Sequence, residues 1–387
     1  MTQLYIKGIG MMIGMIFGAG IFALPYVFSQ AGLFWGIAHF IIAFLILLFL
    51  HFLYGEVAFF TKGRHRFTGY VEIFLGKRAK QFAFLTTMAS YYGTLLVYGL
   101  LAGLFLSNFW QGNYKLQISL IFFIIAALVL LLRMVRIAEI NFYLTVPLFG
   151  FIIYLLFVSL PSIKMGNFVG VGDINANWFL PYGVWLFALG GFAALPEVRD
   201  IFASSNIKHF KRGILISLAV SALFYFLFIF AVWGVSGIST SKDALSGLLG
   251  ILGQKAFLIG SLIGFLAVFT SYLALAIDMK NIFRFDYGIS RFFAWGLTVV
   301  PPVILFFLGA TDFVRILGII GVLGLGTLGI FIIFMARNLR KRIKQNDPGD
   351  MLEDGKIEYS KPTKILQTIV LIAILAGVVY ELWRIFG

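Results

Sequence analysis

The chain has 387 residues, of which 61% are hydrophobic and only 12% are charged, and its formal net charge is +14. So apolar a composition excludes an ordinary soluble domain and predicts a polytopic membrane protein, because each spanning helix needs about 20 apolar residues. The sequence contains no cysteine, which excludes disulfides, iron–sulfur clusters and thiol chemistry.

Eleven segments are apolar and long enough to cross a bilayer. Their long runs, rich in Phe and Leu, predict helices, because the strands of a membrane barrel would show short alternating segments. In chain order the predicted spans are residues 5–31, 33–60, 81–109, 116–134, 140–160, 179–203, 212–236, 253–279, 289–309, 312–336 and 365–386. The predicted fold class is therefore an all-α polytopic membrane protein with 11 transmembrane helices.

The distribution of Lys and Arg among the loops predicts the orientation of these spans. With the N-terminus in the cytoplasm, 24 of the 30 Lys and Arg residues fall on the inner side of the membrane and six on the outer side. This bias predicts a multi-pass protein of the cell membrane with a cytoplasmic N-terminus and an external C-terminus. Topology in the lipid bilayer thus accounts for the positive charge, and no nucleic-acid partner is expected.

A short motif occurs twice in the chain. Residues 20–27, GIFALPYV, are echoed by residues 191–198, GFAALPEV, in the first span of each of two five-span blocks. The two blocks run in opposite directions, and such a pair with Gly/Pro-interrupted first helices predicts an inverted-repeat transporter. We assign residues 1–160 to the first inverted repeat, 179–336 to the second, 337–364 to a cytoplasmic linker and 365–387 to span 11.

Each copy of the motif marks a predicted break in a helix. Gly lets a ligand approach the backbone, and Pro cannot donate an amide hydrogen bond within a helix. Unwound backbone at membrane depth is tolerated where it lines a cavity, and its free amides and carbonyls suit an amino acid zwitterion. We expect the carboxylate at the amides of residues 18–20 and the ammonium at the carbonyls of residues 187–189. Gly20→Ala is accordingly expected to damage binding far more than folding.

Span 8 contains two adjacent hydroxyls, Thr270 and Ser271, in the sequence AVFTSYLALA. Neighbouring hydroxyls can coordinate a hard cation, together with backbone carbonyls freed by the break in span 1. Hydroxyls in membrane helices also bond to their own backbone or hold helices together. The residues alone leave both interpretations open.

Three segments, GMIFGAGIFALPYVFSQAG, LFALGGFAALPEV and FTSYLALA, together with the eleven spans, resemble the amino acid/auxin permease family. That family belongs to the amino acid–polyamine–organocation superfamily. It has the leucine-transporter-like fold of two inverted five-helix repeats with discontinuous helices 1 and 6. The resemblance implies secondary active transport of amino acids by alternating access. A membrane-embedded enzyme is not expected, because the sequence has no recognisable catalytic constellation.

The resemblance also implies an ion site, because sodium-coupled relatives bind one Na⁺ between spans 1 and 8. The matching positions here are the carbonyls of Gly14, Phe17 and Ala267 and the hydroxyls of Thr270 and Ser271. Some proton-coupled relatives replace this ion with a lysine of span 5, and span 5 has none here. Met15 stands where relatives with a second ion have a polar side chain, so at most one Na⁺ is expected.

The substrate side chain is predicted from the two breaks. No Asp or Glu lies in either break, which favours neutral amino acids, and Gly190 and Gly191 leave space for a bulky or aromatic side chain. Tyr98, near the middle of span 3, is expected over the substrate, and a packing role fits it equally well. The predicted substrate-binding residues are Phe17, Gly18, Ala19, Gly20, Tyr98, Phe187, Ala188, Leu189 and Gly191.

Other functions remain open at this point. The leading hypothesis is sodium-coupled symport of neutral amino acids. The first alternative is a proton-coupled symporter with Glu197, directly after Pro196, as the proton carrier, although a buried pair with a Lys or Arg fits Glu197 equally well. A transporter-like amino acid sensor is less favoured, because the loops are short. Glu56 is expected to be an interfacial charge close to Lys62.

Overall fold

The computed structural model of the chain describes residues 2–110, 114–131, 134–169, 172, 174–202, 206–345 and 364–386. Within these ranges the α-helices are α1 (Thr2–Ile16), α2 (Gly20–Phe60), α3 (Phe67–Leu75), α4 (Lys77–Ser107), α5 (Lys115–Val129), α6 (Met134–Ser159), α7 (Ile174–Asn177), α8 (Leu180–Ala188), α9 (Leu195–Ile201), α10 (Ile207–Ser236), α11 (Leu249–Asn281), α12 (Arg291–Phe307), α13 (Phe313–Ile319), α14 (Leu325–Lys344) and α15 (Lys364–Phe386). A 3-10 turn (Phe192–Ala194) precedes α9, and π-helical turns follow α11 (Ile282–Asp286) and α13 (Ile320–Gly324).

Within the described residues each predicted span is mostly helical, and the all-α fold class is confirmed. Predicted spans 1 and 2 meet inside α2 at Gly32, whose φ of 82° is one that glycine adopts without strain. Gly253, with φ of 81°, makes the corresponding bend where α11 enters predicted span 8. Residues 346–363 of the predicted linker lie outside the described residues.

By length and composition alone, fewer helices than the eleven predicted spans qualify as membrane-spanning. Six helical stretches in the described ranges are long and apolar enough to span a bilayer, and three shorter apolar helices accompany them. Interruptions shorten the helices of spans 1 and 6, since α1 and α8 each end at a break. The total of eleven crossings therefore stays a prediction.

Helix packing places both interrupted spans in the centre of the molecule. α2 packs along α8 and α10, while α11 packs along α4 and α6. α1 contacts α6, α9 and α10, so its broken end is enclosed by other helices. The outward faces of α5, α12 and α15 expose large apolar side chains, as expected of helices that face lipid.

The structure corrects the expectation for Glu56. Its carboxylate is buried rather than interfacial, and it contacts the Nζ atom of Lys211 and, at 3.0 Å, the guanidinium of Arg340. Burying a carboxylate costs free energy unless cations and hydrogen bonds compensate its charge. Glu56 thus joins α2, α10 and α14 and does not pair with Lys62.

Candidate functional site

The break in span 1 comprises residues 17–19, between the end of α1 and the start of α2. The amide of Phe17 still donates to the Ile13 carbonyl at 2.8 Å, but the amide of Gly18 does not continue the pattern. None of the hydrogen bonds among the described residues uses the amides of Gly18, Ala19 or Gly20. All three residues are buried, so these amides are free to bind an anion in a place sheltered from water.

The proline of the first motif does not cause this break. Pro25 lies inside α2, one turn after its first residue, and the helix continues through it. Pro196 instead lies in the first turn of α9, where its missing amide costs no helical hydrogen bond. The two copies of the motif therefore have different local structures.

The break in span 6 separates α8 from the 3-10 turn. Three carbonyls at this end of α8, predicted to bind an ammonium group, each accept one hydrogen bond already. Gly190 donates to Phe187 at 3.0 Å, Gly191 donates to Leu189 at 3.1 Å, and a tyrosine hydroxyl donates to Ala188. An ammonium would use the second lone pair of these oxygens.

The hydroxyl that donates to the Ala188 carbonyl belongs to Tyr225 of α10, which connects the two breaks. It lies 2.7 Å from the Ile16 carbonyl and 2.9 Å from the Ala188 carbonyl, and its ring is fully buried. One hydroxyl proton is shared between the two oxygens. Tyr225 therefore holds the broken ends of α1 and α8 side by side.

Gly20 and Gly191 also allow the interrupted segments of spans 1 and 6 to pack closely. A Cβ atom on Gly20 would lie 2.6 Å from the Ala188 Cα atom, and one on Gly191 would lie 2.6 Å from Ile16 Cγ1. Ile16 thus fills the space that Gly191 was expected to leave open. The expectation that Gly20→Ala would spare folding is wrong, because the methyl group would meet backbone that cannot rotate away.

Of the five oxygen groups predicted to bind Na⁺, the structure brings the Ser271 hydroxyl and the Phe17 carbonyl together at the break in span 1. Ser271 Oγ donates to the Phe17 carbonyl at 2.7 Å, and Thr270 Oγ1 donates to the Ala267 carbonyl at 2.9 Å. The Gly14 carbonyl receives no amide from Gly18, so it is free of its helical partner. Buried hydroxyl and carbonyl oxygens are the ligands that a hard cation prefers, so these residues fit Na⁺.

A cavity of about 70 Å³ lies beside the break in span 1. It is lined by Met15, Ile16, Gly18, Ser90, Tyr91, Thr94, Tyr98, Phe187, Gly190, Phe192, Ala193, Leu275, Ile320, Leu325 and Leu328. Pockets that hold small-molecule ligands measure about 300–1,000 Å³, so the walls of this cavity must separate to admit an amino acid.

Three of the predicted substrate-binding residues line the cavity, namely Gly18, Tyr98 and Phe187. The remaining six, Phe17, Ala19, Gly20, Ala188, Leu189 and Gly191, form the two breaks but do not line it. Gly190, next to Gly191, does. The Tyr98 hydroxyl lies 2.7 Å, and Ser271 Oγ 3.2 Å, from the position of a Cβ on Gly18. Tyr98 thus lies next to both the predicted ion site and the break.

Sequence analysis missed Ser90, Thr94 and Tyr225, although a signal for them exists. Ser90, Thr94 and Tyr98 recur every fourth residue along α4, and Ser217, Ser221 and Tyr225 do so along α10. Residues spaced by four share a helix face, so each row marks a polar face within an apolar span. For α4 this face lines the cavity.

A buried ionic network lies at the predicted cytoplasmic end of the molecule. Arg66, which precedes α3, contacts Glu197 of α9 at 3.1 Å and Asp278 of α11 at 3.2 Å. The Tyr91 hydroxyl donates to Asp278 at 2.8 Å, and Tyr91 also lines the cavity. Of the two interpretations of Glu197, the structure supports the ion pair. The network links four elements across the route from the cavity to this end.

Removing Arg66 should open that route. Arg66→Ala would remove the cation that the buried Asp278 and the half-buried Glu197 both contact, so the two carboxylates would repel each other and draw in water. Because the chain lacks cysteine, a single Ala193→Cys substitution in the cavity wall can report access. We expect inside-out vesicles to show thiol labelling about tenfold faster with Arg66→Ala than without it. The matched control is Arg64→Ala, since Arg64 is exposed; equal labelling of both variants would contradict the prediction.

A buried histidine lies next to the break in span 6. His51 Nδ1 contacts the Leu47 carbonyl at 2.7 Å, and the ring stacks on Phe192 with 3.9 Å between centroids. In the part of the chain that the structure describes, Nε2 has no hydrogen-bond partner. Since Nδ1 must donate to the carbonyl, Nε2 is left as a free acceptor.

Comparison with known proteins agrees with this geometry. The sequence model of the tryptophan/tyrosine permease family matches residues 1–355. No curated protein matches the chain. Among solved structures, the crystal structure of MhsT in complex with L-phenylalanine superimposes with a TM-score of 0.64 at 14% sequence identity, over 96% of this chain and 97% of that one. At this identity the likeness shows the fold alone, which is that of the leucine-transporter-type proteins.

Proposed function

The chain belongs to the tryptophan/tyrosine permease family, and from this premise we propose that it carries aromatic amino acids into the cell by sodium-coupled symport. Family and apolar helices make it a multi-pass membrane protein that transports amino acids and is not an enzyme. The ion, the preferred side chain and the orientation in the membrane belong to the proposal. The resemblance to the amino acid/auxin permease family is also part of the proposal.

One observation carries the sodium proposal, the 2.7 Å contact between Ser271 Oγ and the Phe17 carbonyl. It brings the Ser271 hydroxyl of α11 against the backbone whose next amides are free. An ion bound by Phe17 and Ser271 would hold the break in the shape that presents those amides. Amino acid and ion would then each stabilise the site of the other, which is the linkage that symport requires.

Substrate recognition follows from the same break. The free amides of Gly18, Ala19 and Gly20 suit a carboxylate, and the Tyr98 hydroxyl lies against Gly18. Among the described residues no acidic side chain lines the cavity, and most of the lining is apolar, which favours a neutral substrate with a large apolar side chain. The complex of MhsT with L-phenylalanine supports an aromatic substrate for this fold.

Alternating access would use the ionic network as the inner barrier. Arg66, Glu197 and Asp278 join α9 to α11 and to the segment before α3, so their separation would open the cavity toward the predicted cytoplasm. Tyr91 hydrogen bonds with this network and lines the cavity, so a substrate could disturb the barrier through its hydroxyl.

Proton coupling remains the second candidate, and His51 is the observation that favours it. The free Nε2 lies 3.8 Å from the position of a Cβ on Gly191, at the break in span 6. A proton taken up there would place a charge next to the break without any ion between spans 1 and 8. Glu197 is the weaker carrier, because Arg66 already stabilises its charged form.

Uptake into proteoliposomes tests the proposal. With labelled tryptophan, tyrosine or phenylalanine, we expect accumulation under an inward sodium gradient and none when choline replaces sodium. Accumulation driven by a pH gradient without sodium would overturn the sodium proposal and favour His51 as a proton site. Absence of uptake for every amino acid would overturn transport of amino acids by this chain under these conditions.

A further inference from the structure

All of the polar side chains among the residues lining the cavity come from one helix, α4. They are Ser90, Tyr91, Thr94 and Tyr98. The Tyr91 hydroxyl is committed elsewhere, since it donates to Asp278, and the Tyr98 hydroxyl lies at the break, 2.7 Å from the position of a Cβ on Gly18. Ser90 and Thr94 are left as the polar groups that face an otherwise apolar wall.

Both of these hydroxyls have already used their only proton. Ser90 Oγ donates to the Thr86 carbonyl at 2.9 Å, and Thr94 Oγ1 donates to the Ser90 carbonyl at 2.8 Å. A hydroxyl that donates in this way keeps two lone pairs on its oxygen and has no hydrogen left to offer. In the cavity, Ser90 and Thr94 therefore act as acceptors only.

Position along α4 relates these acceptors to the break. Four residues of a helix rise by about 6 Å, so Thr94 lies about 6 Å along the axis from Tyr98 and Ser90 lies about 12 Å from it. Tyr98 marks the end of the cavity at Gly18, where the carboxylate of the substrate is proposed to bind. A long side chain that extends from that end along α4 reaches Thr94 first.

Of the two residues, Thr94 is the better placed. Ser90 Oγ lies against the backbone of the π-helical turn, since a Cβ atom on Gly324 would clash with it at 2.2 Å. Thr94 lines the same cavity, whose other walls include apolar side chains such as Phe187, Ile320 and Leu325. An acceptor within such a wall can distinguish a ring that carries a donor from one that does not.

We propose that Thr94 is a specificity-determining residue whose oxygen accepts a hydrogen bond from the indole N–H of tryptophan or the phenol O–H of tyrosine. The inference rests on the proposed function and names the substrate preference of that same cavity. Phenylalanine lacks the donor and gains only the apolar contacts. Because Thr94 keeps its bond to Ser90 when phenylalanine binds, no buried hydrogen is left unpaired, and we expect a preference of about tenfold.

Competition experiments test this role. Each amino acid is measured as an inhibitor of labelled tryptophan uptake, and the readout is the ratio of inhibition constants for phenylalanine and tryptophan. We expect a ratio of about ten in the unmodified protein and near one in Thr94→Val, with Thr94→Ser keeping the preference. The matched control is Thr298→Val, since Thr298 is a buried threonine of α12 whose hydroxyl donates to the Ala294 carbonyl at 2.8 Å.

A second measurement needs no variant. In benzothienylalanine a sulfur atom replaces the indole N–H of tryptophan, with almost the same shape and no donor. We expect it to bind the unmodified protein about tenfold less tightly than tryptophan. Equal affinity for these two compounds, or a preference retained in Thr94→Val, would overturn the inference and leave the proposed function standing. Failure of all aromatic amino acids to bind or to be carried would overturn both.

Discussion

Ser271→Ala should raise the sodium concentration required for half-maximal uptake by about ten- to a hundredfold, and Thr270→Ala should raise it by about tenfold. A hydrogen bond or ligand contact to a charged group contributes about 1.5–3 kcal/mol, which corresponds to this range. Ser271 should matter more, because its Oγ atom joins α11 to the Phe17 carbonyl of the break, whereas Thr270 contacts its own helix. Uptake measured against sodium concentration at saturating amino acid gives the values.

A matched serine separates this effect from general damage to the protein. Ser217 of α10 is also fully buried, and its hydroxyl donates to the Gly213 carbonyl of its own helix at 2.8 Å. Ser217→Ala should leave the sodium requirement unchanged. If Ser271→Ala and Thr270→Ala behave like this control while transport continues, the two hydroxyls do not belong to the ion site.

Local signals predicted much of the fold correctly. Apolar length located the helices, and Gly32 and Gly253 ended up at the limits of predicted spans, because only glycine adopts their positive φ without strain. The break in span 1 was also recognised, since Gly18 and Gly20 weaken a helix. The role of Pro25 was not recognised, because a proline one turn inside a helix and a proline at the start of a helix look alike in sequence.

Contacts between distant residues were beyond sequence reasoning. Glu56 meets Lys211 and Arg340 across gaps of 155 and 284 residues, and Tyr225 reaches Ile16 across 209. No local pattern encodes which partner a buried charge or hydroxyl will find. In the site, the spacing of polar residues would have revealed the face of α4, but only the packing shows that Ile16 fills the space beside Gly191.

The two glycines of the span 1 break should respond differently to alanine. Neither has a positive φ, so the effect depends on what the added methyl group meets. On Gly18 it would lie 2.7 Å from the Tyr98 hydroxyl and 3.2 Å from Ser271 Oγ, both at ends of side chains that can rotate. On Gly20 it would lie 2.6 Å from the Ala188 Cα atom, so α2 and α8 would have to separate.

Gly18→Ala should therefore reduce substrate affinity about a hundredfold with little change in thermal stability. The methyl group would occupy the space between the free amides, Tyr98 and the ion site, where carboxylate and cation are proposed to meet. Gly20→Ala should lower stability by about 1–3 kcal/mol, as overpacking does, and lose transport in proportion to the loss of folded protein. Measurements of apparent Tm in detergent and of uptake per folded molecule distinguish Gly18→Ala from Gly20→Ala.

Gly150 provides the control for both substitutions. It lies in α6, and a Cβ atom there would meet nothing within 4 Å, so Gly150→Ala should change neither Tm nor uptake. Normal transport by Gly18→Ala would show that the amides of the break do not bind the carboxylate. An equal loss of Tm in Gly18→Ala and Gly20→Ala would show instead that both glycines act in packing, and the binding role of the break would then rest on the amide of Ala19 alone.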